Sequence, residues 1–169
     1  YTPIPVVNLM LSEVEERRPL KRGMTVFDPS CGSGAFLVQA FRRLVEREFP
    51  PSKGCPSPIA LRELLEGHIY GLDTDQDACN VTRLSLVLTL LDYVNPRDLE
   101  MDDRPGPNPK LPDLRNNIFH GNFFDDNGQW RRVFARKKAD WVVGNPPWKP
   151  LTKDNMREED TLVLAWMTA

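Results

Sequence analysis

A short apolar run, Met24-Thr25-Val26-Phe27, leads straight into Asp28-Pro29-Ser30-Cys31-Gly32-Ser33-Gly34, and an amphipathic stretch over residues 35–48 follows. Gly32 and Gly34 carry no Cβ, so the backbone can reverse tightly and come close to a ligand, while the next helix starts with unpaired N–H groups. Strand, glycine loop and helix in that order commit the chain to a β–α unit, and the unit repeats. His68-Ile69-Tyr70-Gly71-Leu72-Asp73 reads as a second strand ending in an acid, and residues 76–93, rich in Leu and Val, read as a long helix. Two further apolar runs, 117–120 and 140–143, are the third and fourth strand candidates, with a basic, helical segment at 130–138 between them.

The remaining segments frame these units. Residues 6–18 cluster Val6, Val7, Leu9, Met10, Leu11 and Val14 towards one side of a helix that ends before Pro19. Four prolines between positions 50 and 58 interrupt the pattern, and 59–66 resumes as a short helix. Five prolines fall within 95–114, predicting a long mobile loop. With 169 residues, 40% of them hydrophobic and 27% charged, the chain is long enough for one core and is expected to form a single domain over 1–169. Strands alternating with helices predict an α/β domain with a mostly parallel sheet, whose ligands gather beyond the carboxyl ends of the strands. Four distinctive segments fall at such ends: the glycine loop, Asp73, Gly121-Asn122-Phe123-Phe124, and Asn145-Pro146-Pro147-Trp148.

Each segment has a chemistry of its own. A dinucleotide loop needs a third glycine where this chain has Leu37, and no Gly-Lys-Ser or Gly-Lys-Thr follows to make a Walker loop. Asp28 adds a carboxylate that can meet an ammonium. Asp73 has the placement of an acid that accepts ribose hydroxyls, and Asp75 that of the following helix's cap. Asn122 suits an adenine edge; Phe123 or Phe124 can pack against its ring, or Phe124 can be core. In the Asn-Pro-Pro-Trp tetrapeptide, Asn145 supplies an acceptor oxygen and the prolines fix φ. The Pro146 carbonyl is a second acceptor and Trp148 a stacking face, a combination that grips a flat, amino-bearing substrate. The basic run Arg131, Arg132, Arg136, Lys137 and Lys138 reads either as a phosphate contact or as a solvated helix face.

Composition narrows the classes. Three scattered cysteines, Cys31, Cys55 and Cys79, form no CxxC pair, and two isolated histidines complete no ligand set, so free thiols and no metal are expected. No apolar run approaches the roughly 18 residues of a membrane span, and the N-terminus lacks a signal-peptide layout, which reads as cytoplasmic. A net charge of −2 is low for a domain that grips DNA unaided.

With these residues assembled, the chain resembles the catalytic domain of the S-adenosylmethionine-dependent DNA methyltransferases of restriction–modification systems, in the adenine-N6 branch. Tyr1-Thr2-Pro3 before a helix resembles the motif preceding the glycine loop, the stretch from Asp28 to Phe36 the cofactor loop, and Asn145-Pro146-Pro147-Trp148 the catalytic tetrapeptide. The resemblance implies a Rossmann-like methyltransferase fold, with Thr2, Asp28, Gly32 and Gly34 around the methionine part of the cofactor. It further implies that Asp73 holds the ribose and that Asn122 and Phe123 meet the adenine, although the family often has Asp in place of Asn122. Asn145, Pro146 and Trp148 would grip an adenine flipped from duplex DNA. The family has further strands and a separate target-recognition region after the tetrapeptide. Because only 21 residues follow Trp148, the chain is expected to be a fragment with its sheet truncated after the fourth strand, reading DNA through a region outside it and acting with fused or separate restriction and specificity components. Three other readings share some of these residues: methylation of a protein glutamine or an RNA amine, a cofactor-binding module without catalysis, and a nicotinamide dehydrogenase. The last is disfavoured by Leu37 and leaves the tetrapeptide unexplained.

Overall fold

The structure, a computed structural model, describes residues 2–96, 111–135, 138–146 and 160–163. Helix α1 (Ile4–Arg17) leads to strand β1 (Val26–Asp28), helix α2 (Ala35–Glu48), helix α3 (Pro58–His68), strand β2 (Ile69–Asp73) and helix α4 (Gln76–Leu91). Strand β3 (Ile118–His120), helix α5 (Gln129–Phe134) and strand β4 (Trp141–Val142) follow. Local chemistry sets the helix starts. Ser57 accepts the Ala60 N–H at 3.2 Å and Pro58 occupies the first turn of α3, where its missing N–H costs nothing. Asp75 caps α4 by accepting the Asp77 N–H at 2.8 Å, as the sequence predicts.

The four strands form one parallel sheet in the order β3-β2-β1-β4, the mostly parallel α/β architecture predicted. Side chains alternate between its faces. Val26, Ile69, Ile118 and Trp141 join the main core with Leu11, Leu37, Phe41, Leu44, Leu65 and Leu86 from α1 to α4. Phe27, Tyr70, Leu72 and Phe119 face the other way and meet Trp130 of α5. Trp141 ties the sheet to α1: its ring is buried, and its indole N–H donates to the Arg18 carbonyl at 3.1 Å. The neighbouring Asp140 carboxylate accepts the Thr25 N–H at 2.8 Å and pairs with Arg18, which fixes where β4 meets β1.

Two expectations are corrected in extent. Helix α5 ends at Phe134 rather than running to Lys138, and β4 holds two ladder residues rather than four. Phe134 gives the reason for the former: it is packed on Phe27, at 5.0 Å between ring centroids, so the aromatic contact that anchors the helix is complete there. The mobility expected for 95–114 rests mainly on 97–110, outside the described residues; at its end Leu114 is buried and opens a short 3-10 turn, Leu114–Asn116.

Candidate active site

The chain runs from β1 outward through β2 to β3 and then returns to β4 on the opposite side of β1. Such a reversal opens a crevice at the carboxyl ends of the two strands flanking it, here β1 and β4. Asp28 closes β1 and Gly144 to Pro146 follow β4, so the glycine loop and the tetrapeptide emerge side by side. The contact is tight: a Cβ placed on Gly144 would lie 2.5 Å from Asp28 Oδ1. Glycine is required because only a bare Cα leaves room for that carboxylate.

Asp28 is 1% exposed, and its carboxylate accepts the Ser30 N–H at 3.0 Å. No cationic side chain pairs with it among the described residues. Burial pushes its pKa up to about 7, against the lowering effect of the Ser30 bond, and the charge of Asp73 adds to the rise. A buried acid held this way is poised to receive a cation. The adjacent Cys31 thiol is raised well above its usual range, first by burial and then by Asp28, which makes it an inert filler rather than a nucleophile.

The loop itself turns through two left-handed glycines, Gly32 at φ 53° and Gly34 at φ 86°. Gly34 caps α2, and a Cβ there would sit 3.0 Å from Thr82 Cγ2. At the end of β2, Asp73 accepts the Gly32 N–H through Oδ2 at 2.7 Å and the Asp75 N–H through Oδ1 at 3.0 Å. It is therefore bonded to the glycine loop as well as standing at the position predicted for a ribose ligand. On the next strand, Gly121 donates its N–H to the Asp73 carbonyl at 2.9 Å, which brings 121–124 beside that acid. Asn122 Oδ1 accepts the Phe124 N–H at 2.9 Å, closing a local turn that orients its side chain.

Phe123 is 37% exposed and stacks on Trp130 at 4.9 Å, with 13° between the rings; Trp130 in turn stacks on Phe27 at 5.6 Å. Phe124 meets Phe123 edge-on. The aromatic wall at this end of the crevice is thus anchored in the second core. Arg131 from the basic run lies 4.7 Å over the Trp130 ring and pairs with Asp126, so it braces the wall; Arg132 and Lys138 are exposed, and Arg136 and Lys137 lie outside the described residues.

At the other end, Asn145 Nδ2 donates to Thr2 Oγ1 at 3.1 Å, joining residues 143 positions apart. Asn145 and Pro146 are exposed at the crevice mouth; Pro147 and Trp148 lie outside the described residues. Of the ten site residues predicted, Trp148 alone falls in that gap, and the other nine are distributed along the carboxyl edge of the sheet. Two residues that motif reading missed support them. Trp130 carries Phe123, and Thr82 of α4 donates its hydroxyl to the Gly32 carbonyl at 2.7 Å. Thr82 carried a signal: it is a polar residue on the inward face shared with Cys79, Leu86 and Leu90.

Comparison with known proteins places the chain among restriction–modification methyltransferases. The chain is 30% identical, in an alignment of 145 positions that covers 72% of it, to the type II restriction enzyme and methyltransferase RM.Eco57I of Escherichia coli. It is 29% identical over 147 residues to the type I restriction enzyme MjaIX methylase subunit of Methanocaldococcus jannaschii. It spans only 14% and 18% of those relatives' lengths. Among solved structures, the M protein of the type I enzyme EcoKI superposes with a TM-score of 0.57 at 18% identity, over 90% of this chain and 26% of that one. The DrdV–DNA complex superposes with a TM-score of 0.65 at 17% identity, over 99% of this chain and 16% of that one, so both similarities show the shared fold. The family described as MmeI, DNA-methyltransferase domain, matches residues 10–167, and the chain belongs to it.

Proposed function

We propose that this chain is the catalytic core of an adenine-N6 DNA methyltransferase of a restriction–modification system, with S-adenosylmethionine as methyl donor. The observation that carries the reading is the contact between Gly144 and Asp28, which sets a grip for a planar amine directly beside a loop suited to a charged donor. The residues present fit that cofactor. Buried Asp28 has no cationic partner among the described residues and suits the ammonium of its methionine part, Gly32 leaves open space where a side chain would stand, and Asp73 and Phe123 would hold the ribose and the adenine. When bound, the cofactor supplies an electrophilic methyl group on a sulfonium centre.

The chain's own residues do the positioning. Thr2 accepts from the Asn145 amide nitrogen, which orients the amide oxygen of Asn145 as an acceptor for the substrate amine. The Pro146 carbonyl is the second acceptor. Two acceptors on one exocyclic amine pull its lone pair out of conjugation and aim it into the crevice, so catalysis rests on orientation and electrostatics rather than a strong base. The adenine reaches this grip by leaving the duplex, at a cost of about a few kcal/mol. A net charge of −2 fits a reading in which other regions or subunits supply much of the DNA affinity. No described helix is long and apolar enough to cross a membrane, and a cytoplasmic location follows from a genomic DNA substrate.

The test is transfer from methyl-labelled S-adenosylmethionine to duplex DNA, with a peptide release factor and ribosomal RNA as competitors. Label entering DNA, and lost with Asn145→Ala, supports the proposal. Label entering only protein or RNA overturns it.

A further inference from the structure

Helix α4 carries two buried threonines that satisfy their hydroxyls differently. Thr89 bonds back into its own helix, donating to the Ser85 carbonyl at 2.7 Å, the ordinary solution for a threonine on a helix. Thr82, 0% exposed, instead reaches across to the glycine loop and donates to the Gly32 carbonyl at the same distance. Its side chain also fills the space against Gly34, at 3.0 and 3.1 Å from where a Cβ would be. Gly32 is held from the opposite side by Asp73, which accepts its N–H at 2.7 Å. Both backbone groups of Gly32, where a Cβ would meet nothing within 4 Å, are therefore gripped by the neighbouring β2–α4 unit.

We propose that Thr82 is a positioning residue for the cofactor loop, clamping Gly32 so that the loop keeps the left-handed turns its ligand requires; the cofactor assignment rests on the function proposed above. The clamp has a consequence for binding. Asp73, the predicted ribose ligand, and the loop, the predicted methionine cradle, share the Gly32 peptide, so order at one end of the site is transmitted to the other through a single residue. Loss of the Thr82 hydroxyl leaves the Gly32 carbonyl without that donor and frees the loop to sample other turns, which the ligand must then reorder on binding.

The experiment compares wild type with Thr82→Val, Thr82→Ala and Thr82→Ser in the protein expressed from its whole reading frame. Calorimetry with S-adenosylmethionine should show Val and Ala weakened roughly three- to tenfold, the range expected for one hydrogen bond, with Ser within about twofold of wild type. Amide hydrogen exchange at Gly32 and Gly34 without ligand should accelerate in Val and Ala and stay slow in Ser. Wild-type affinity and exchange in both Val and Ala, or equal weakening in Ser, would overturn the clamp. Failure of the wild-type protein to bind S-adenosylmethionine would instead defeat the functional reading, and the exchange comparison would still decide the role of Thr82.

Discussion

Asp28→Asn should make the protein more stable at pH 8 and poorer at binding its cofactor. The Asp28 carboxyl has its pKa raised from 3.8 to about 7, with burial the largest cause. A carboxyl raised in the folded state binds a proton there that the unfolded chain has released, so its contribution to stability is complete below about pH 4 and is lost as pH rises to about 7. Three pH units at about 1.4 kcal/mol each set the loss at up to about 4 kcal/mol. Asn keeps an oxygen for the Ser30 N–H and never ionises. Thermal unfolding at pH 4, 6 and 8 should show the variant equal to wild type at the lowest pH and increasingly more stable above it, by roughly 10 °C at pH 8 for a chain of this length. Cofactor affinity should move the other way. The wild-type protein should bind S-adenosylmethionine more tightly as pH rises from 6 to 8 and release a proton on binding at pH 6, while the variant should bind at least tenfold more weakly at pH 8, the loss expected for a bond to a charged group. A stability difference that does not change with pH, or undiminished binding by the variant, would refute the idea that this acid is stored at the fold's expense for a cationic ligand.

Other substitutions probe separate contacts. Gly144→Ala places a Cβ 2.5 Å from Asp28 Oδ1 and should cost about 1–3 kcal/mol in denaturant unfolding together with most of the methyl transfer. Thr2→Val removes the partner of the Asn145 amide; steady-state kinetics should show kcat reduced roughly three- to tenfold with an unchanged melting temperature. Phe123→Ala exposes the Trp130 face that it covers and should weaken S-adenosylmethionine binding roughly three- to tenfold in calorimetry, by the worth of one aromatic contact.

How far the sequence reveals this molecule depends on the range of the interactions. Helix α2 occupies the predicted 35–48 because its apolar spacing and preceding glycines are local signals, and the Asp75 cap is legible for the same reason. The end of α5 is set by packing of Phe134 on Phe27, more than a hundred positions away, and no local pattern marks it. Strand order is equally invisible: nothing near Trp141 says that it pairs with Val26, yet that pairing is what brings Gly144 onto Asp28. Motif reading picked out segments that follow the strands at the carboxyl edge of the sheet. It missed Thr82 and Trp130, whose roles exist only through Gly32 and Phe123. Asp73 shows the middle case, since its place at the end of a strand is legible and its bond to Gly32 is not.

The most direct test of the central claim is the identity of the methylated product. Duplex DNA treated with the protein and S-adenosylmethionine, digested to nucleosides and resolved by mass spectrometry, should contain N6-methyladenine, and that product should disappear with Asn145→Ala. Methylation found instead on cytosine, or N6-methyladenine formed undiminished by the Asn145 variant, would contradict an account in which the crevice between β1 and β4 holds an adenine amine against the methyl donor.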